Sequence, residues 1–210
     1  MFRDRADAGR QLAVRLTQLR GQHPVVLGLP RGGVVVAFEV AAALSAPLDV
    51  LIVRKLGHPR QPELAIGAIG EGGVRVLSPE IAASAWMDAA FRAVEARETE
   101  VVRERVARLR RGRPRLNLRD RTALVVDDGI ATGSTVKAAC LVARQLGAAR
   151  IVVAVPVAPA GIADRLSEAD DVICVMTPAR FVAVGAHYRD YAQTSDAEVF
   201  ELLSRFQSHP

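Results

Sequence analysis

Short apolar runs rich in valine and leucine recur along the chain, and segments of helical character follow most of them. This alternation restricts the fold more than any other feature of the sequence. Residues 25–29, 49–53, 124–126, 151–157 and 172–176 read as buried strands. Helical segments are expected over 3–19, 136–146 and 161–169, with a terminal helix over 197–206. Residues 34–44 form a further helix, because Ala41, Ala42, Ala43 and Leu44 have strong helical propensity; a second strand behind a Gly32-Gly33 hairpin turn is the alternative. Strands alternating with helices imply an α/β fold, a mostly parallel sheet flanked by helices. Residues 54–63 read as an exposed loop, 64–77 as a hairpin, and a long helix runs from Ser78-Pro79-Glu80 to about Arg111.

The chain has 210 residues, half of them hydrophobic (50%), enough for a substantial core, and it reads as one domain over 1–210. No long uninterrupted apolar stretch points to a membrane span, and the first residues lack the apolar core of a signal peptide. Cys140 and Cys174 have no metal-ligand spacing, so a reducing, cytoplasmic setting is expected. Of 28 basic residues only Lys55 and Lys137 are lysines, so Lys55 stands where arginine is the default. The net charge of +5 suits phosphorylated small molecules as well as nucleic acid.

The chemistry concentrates after the strand at 124–126. Asp127-Asp128-Gly129-Ile130-Ala131-Thr132-Gly133-Ser134-Thr135 is a glycine-rich, hydroxyl-bearing loop that opens a helix, at the strand end where α/β sheets bind ligands. Glycines and free helix amides make such a loop a phosphate cradle; no Walker A spacing is present. Two adjacent carboxylates would repel an anion unless they bind hydroxyls or a divalent cation. A ribose 5-phosphate with Mg²⁺ satisfies both parts of the loop, and an ordinary capped strand-to-helix turn is the alternative.

The segment from Val125 to Thr135 closely resembles the signature with which type I phosphoribosyltransferases bind 5-phosphoribosyl-1-pyrophosphate (PRPP). The resemblance implies that family's core, with a small hood built from the N-terminal and about 178–195 segments and a helical insertion at about 82–115. It further implies that Arg31, Gly32 and Gly33 bind pyrophosphate after the first strand, with Pro30–Arg31 the candidate cis peptide. Arg54 and Lys55 would neutralise the leaving pyrophosphate, and Asp127 and Asp128 would hold ribose hydroxyls and Mg²⁺. Residues 57–73 would be a flexible loop with His58, Arg60 and Glu63 as its polar contributors. Phe181 and Val182 would meet the base, with Tyr188, Asp190 and Tyr191 beside them; a core role for Phe181 is the alternative.

The activity implied is displacement of pyrophosphate from PRPP by a nitrogen nucleophile, with a nucleobase as partner, in a homodimer. Two departures stand out. Ala131 occupies the position where 6-oxopurine enzymes carry an aspartate, so that acid is missing. Arginines crowd residues 103–121, opposed there only by Glu104 and Asp120. A solvated helix face accounts for them, and the absence of aromatics between Phe91 and Phe181 argues against nucleic-acid readout. A PRPP-sensing regulator that binds nucleic acid is the competing function.

Overall fold

The computed structural model describes residues 1–77 and 89–207. Strands β1 (Val25–Gly28), β2 (Leu48–Val50), β6 (Thr122–Val126), β7 (Arg150–Val157) and β8 (Asp171–Met176) form one sheet in the order β2-β1-β6-β7-β8. Every pairing in it is parallel, with Gly28 opposite both Val50 and Val126. Because successive side chains point to opposite faces, the valine runs serve two cores. Val26, Leu124, Val126 and Val152 pack on one side against α1 (Arg5–Arg15), α2 (Gly32–Leu44) and α5 (Asp196–Gln207). Val25, Leu27, Val125 and Val153 pack on the other against α4 (Ser134–Gln145). The parallel sheet flanked by helices is the fold expected, and 34–44 is helical.

Three segments differ from expectation. Residues 54–63 are not a loop: β3 (Val53–His58) pairs antiparallel with β4 (Gln61–Gly70), which pairs in turn with β5 (Arg75–Leu77) in a second sheet. Buried Val53 and Leu56 anchor β3, and register shifts on both sides of Gly57 absorb the irregular sequence. Pro62 is tolerated because it lies in β4 outside the stretch paired with β5. The helix expected at 161–169 is a single 3-10 turn, Ala163–Arg165. Leu166 closes that turn, its N–H donating to the Ala163 carbonyl, and Asp170 then accepts the Ile151 N–H at 2.6 Å while its own N–H donates to the Ile151 carbonyl. Finally, the strand expected at 49–53 divides after Val50, where buried Leu51 and Ile52 carry the chain from the first sheet to the second.

Helix α3 (Ala89–Arg110) occupies most of the proposed insertion; the beginning expected for it at 78–88 lies outside the described residues. Its last residue does not sit on a solvated face. Arg110, 5% exposed, donates to Asp49 Oδ1 of β2 at 2.8 Å, to the Val50 carbonyl at 2.9 Å and to Glu71 Oε1 at 2.7 Å, with a further bond from its Nε to Glu71. Asp49 and Glu71 are themselves buried, and Asp49 also accepts the Leu116 N–H at 2.9 Å. One guanidinium therefore ties the helix to both sheets. No helix among the described residues is long and apolar enough to cross a membrane.

Arg110→Leu would leave two carboxylates buried without their cation. Urea unfolding should register a loss of about 3–5 kcal/mol; a loss below about 1 kcal/mol would mean that water replaces the guanidinium.

Candidate functional site

Strand β6 delivers Asp127 and Asp128 to the carboxyl edge of the parallel sheet, and the loop beyond them turns into α4. Gly133 makes that turn at a φ of 86°, a backbone conformation open to glycine, and no side chain caps the helix. The first amides of α4 are thus left for a ligand. The Ile130 N–H donates to the Val157 carbonyl at 2.9 Å and fixes the loop's floor. A cavity of about 200 Å³ lies here, walled by Asp127, residues 129–136 and Val184.

The two acids differ. Asp127 is half-buried, and its carboxyl is held well above the ordinary carboxylate range, first by desolvation and then by the charge of Asp128. Asp128 is satisfied from two distant segments: Arg5 Nε of α1 donates to its Oδ2 at 2.7 Å, and the Tyr191 hydroxyl donates to the same oxygen at 3.0 Å. The Tyr188 hydroxyl donates to the Asp128 carbonyl at 2.5 Å. Arg5 also donates to the Ala192 carbonyl at 2.6 Å and lies 4.0 Å from the centre of the Tyr191 ring. Burial costs its guanidinium hydration, yet the bond to Asp128 keeps its pKa above the usual value. Burial, reinforced by Asp128, pushes the Tyr191 hydroxyl up to about 12.

The turn after β1 presses against these acids. The Pro30–Arg31 peptide is cis, as the resemblance implied. A Cβ on Gly33 would stand 2.8 Å from Asp127 Cα and from the Val126 carbonyl, and one on Gly32 would meet Asp128 and Arg5. Only glycine allows the two loops this approach.

A second cavity, of about 260 Å³, adjoins the first through shared Ser134 and Thr135; its other walls include Pro30, Arg54, Lys55 and Arg105. Arg54 Nε donates to Glu98 Oε2 of α3 at 2.8 Å, and Arg97 Nη2 donates to Glu98 Oε1 at 2.9 Å. Burial opposes ionisation of Glu98, but these two guanidiniums hold its carboxyl below the usual range. Burial lowers the pKa of Arg105, and nearby Arg54, Arg31 and Arg108 add to the effect. Arg31 points toward Asp196, 3.9 Å away.

The structure therefore groups Arg54 and Lys55 in one cavity and Asp127 with residues 129–135 in the other, with Gly32 and Gly33 packed behind the acids. Phe181 and Val182 line neither of these cavities. Phe181 stacks on His187 with ring centres 5.6 Å apart, Val182 is exposed, and Val184 reaches the first cavity in their stead. His58 Nδ1 accepts the Arg60 N–H at the β3–β4 turn, and Asp190 accepts the Ala192 N–H. The Glu63 side chain lies outside the described residues. Sequence reasoning missed Arg5 and Glu98, and it read Arg105 as solvated. An acid-and-arginine pattern on α3 marks a charged helix but not what the helix faces.

A carboxyl whose pKa is raised on folding binds a proton more readily in the native protein, so stability falls as pH rises from the unfolded value through the native one. Asp127→Asn removes that cost and can still accept the Asp128 N–H. Calorimetry without ligand should give a higher Tm than wild type near neutral pH, with the gain vanishing below the carboxylate range. An unchanged Tm at neutral pH would show that ionised Asp127 is already compensated.

Comparison with known proteins converges on one family. The phosphoribosyl transferase domain model matches residues 3–189. Two Mycobacterium tuberculosis proteins, from strains CDC 1551 and H37Rv, both named "Putative phosphoribosyl transferase", are 58% identical over 207 residues. The match covers 98% of this chain and 47% of theirs, so the chain spans about half the length of these curated relatives. The crystal structure of TT1426 from Thermus thermophilus superposes with a TM-score of 0.91 at 46% identity, covering 98% of each chain. The chain belongs to the phosphoribosyl transferase domain family.

Proposed function

We propose that the protein transfers the phosphoribosyl group of PRPP to a nitrogen nucleophile, a nucleobase, releasing pyrophosphate. One observation carries this reading: two adjoining cavities share Ser134 and Thr135, one a helix-capped loop beside carboxylates and the other lined by cations. The first suits a 5-phosphate and ribose hydroxyls, the second a pyrophosphate. In the reaction the bond from C1 to the pyrophosphate oxygen breaks, its electron pair leaving with pyrophosphate, and a C1–N bond forms. The nitrogen's proton passes to solvent. Positioning and electrostatics supply most of the catalysis. Arg31, Arg54 and Lys55 offset charge growing on the leaving group, while the carboxylates favour the positive charge on the sugar.

Among the described residues no three histidine, cysteine or acidic side chains are grouped for a metal ion. Asp127 and Asp128 fit Mg²⁺ in the way that ion is usually held, by one or two carboxylates with water and phosphate oxygens completing the shell. When bound, Mg²⁺ would neutralise pyrophosphate charge. Asp128, already neutralised by Arg5, is better placed to orient hydroxyls than to hold the cation.

Ala131 favours a second reading, a PRPP sensor with little catalysis, since no side-chain acid stands at that position in the loop. The arginine-rich stretch lends less support to nucleic-acid binding. Arg110 is buried, Arg111 and Arg113 stack on Phe200 at 4.0 and 4.6 Å, and Arg103 pairs with Glu100 at 2.7 Å. A homodimer and a cytoplasmic location complete the proposal, and light scattering tests the first.

The deciding assay measures pyrophosphate release from PRPP and Mg²⁺ across purines, pyrimidines and small amines. Release with one acceptor, plus the matching nucleotide, is expected; silence with PRPP still bound favours the sensor, and absence of PRPP binding overturns both. Asp127→Asn with Asp128→Asn should abolish Mg²⁺-dependent PRPP binding in calorimetry. Lys55→Ala should lower kcat by about a hundredfold, as loss of one transition-state charge contact does; a change confined to base affinity would remove Lys55 from the pyrophosphate site.

A further inference from the structure

The cations of the second cavity are not equivalent. Arg54 has its Nε on the carboxylate of Glu98, a residue 5% exposed, and moving Arg54 onto a phosphate would strip a buried acid of its closest cation. Arg54 thus has a structural partner already. Arg105 lies on the same helix as Glu98, seven residues along, which places both on one face of α3 two turns apart. It lines the cavity beside Lys55, half-buried, and no carboxylate stands within ion-pair distance of it among the described residues. Besides burial, the charges that act on it are mostly of its own sign, Arg54, Arg31 and Arg108, opposed by Asp196. Asp196 is itself shared, 3.9 Å from Arg31 and 3.8 Å from Arg108. A half-buried guanidinium crowded by cations is disfavoured until an anion joins it. Its planar fork also matches two phosphate oxygens at once.

We propose that Arg105, carried into the cleft by α3, is a direct ligand of the pyrophosphate group, while Arg54 contributes its charge from the cavity wall and anchors that helix through Glu98. The inference rests on the reading of this cavity as the pyrophosphate end of the site. It assigns the helical segment after the second sheet a part in substrate binding, where its arginines alone suggest a solvated surface.

Titration calorimetry with inorganic pyrophosphate and Mg²⁺ tests it on the full chain. Arg105→Gln should weaken pyrophosphate binding by about tenfold or more, the scale of one charge-assisted contact. Arg105→Lys should fall between the two, because it keeps the charge and loses the fork. Arg97→Gln, which alters the exposed partner of Glu98, should bind as wild type does. Circular dichroism checks that each variant is folded; if the glutamine variant is not, the lysine variant decides, with a loss of about threefold expected. Wild-type affinity in the folded glutamine variant, or in the lysine variant where only that one folds, overturns the assignment and leaves the proposed function standing. A wild-type protein that binds neither pyrophosphate nor PRPP overturns both.

Discussion

The buried guanidinium of Arg110 fixes where α3 ends, and the course of that helix determines which side chains face the cleft. Its partners come from different sheets: Asp49 from the edge of the parallel one, Glu71 from the turn between β4 and β5. Without these bonds three charges would be buried with nothing to offset desolvation, so the arrangement holds as a unit or not at all. Arg105 lies little more than one turn earlier on α3, and Glu98 two turns before that. An interaction remote from the 127–135 loop thereby sets the charge pattern of the cavity that adjoins it.

The acidic side of the site is built on the same plan. Asp128 lies between Arg5 from the first helix and Tyr191 from the last irregular segment, and the backbone bridge between Phe2 and Tyr188 holds those segments together. Asp127 has no cation within ion-pair distance among the described residues, and desolvation together with the charge of Asp128 raises its pKa. Two neighbouring carboxylates thus acquire different characters from their surroundings, as burial and charge pairing require.

Much of this was legible in the sequence. The strands that lead into the loops at 29–33 and 127–135 are rich in valine, and burial explains such runs. The loop from Asp127 to Thr135 combines acids, hydroxyls and glycines too specifically for an ordinary turn. What was not legible depends on contacts across long separations. Arg5 and Asp128 are 123 positions apart, and Arg54 and Glu98 are 44 apart. Periodicity shows which face of a helix is polar but not which surface that face meets, so Arg105 and Arg110 looked alike although one is sealed and the other borders a cavity. Strand β3 escaped notice for a local reason: its glycine, histidine and lysine resemble a loop, and only the bulges around Gly57 let them pair.

The wall shared by the two cavities has a further consequence. Ser134 and Thr135 belong to both, so a single turn of α4 sets the spacing between the two ends of whatever binds. Under the proposed reading this turn works as a gauge of ligand length. A sugar bearing phosphate at one end only would fill half the site and leave the cations at the other end in contact with water. Discrimination then comes from span as much as from any individual contact. Metabolites that share the ribose phosphate but lack the second anionic end would be passed over without a residue dedicated to rejecting them.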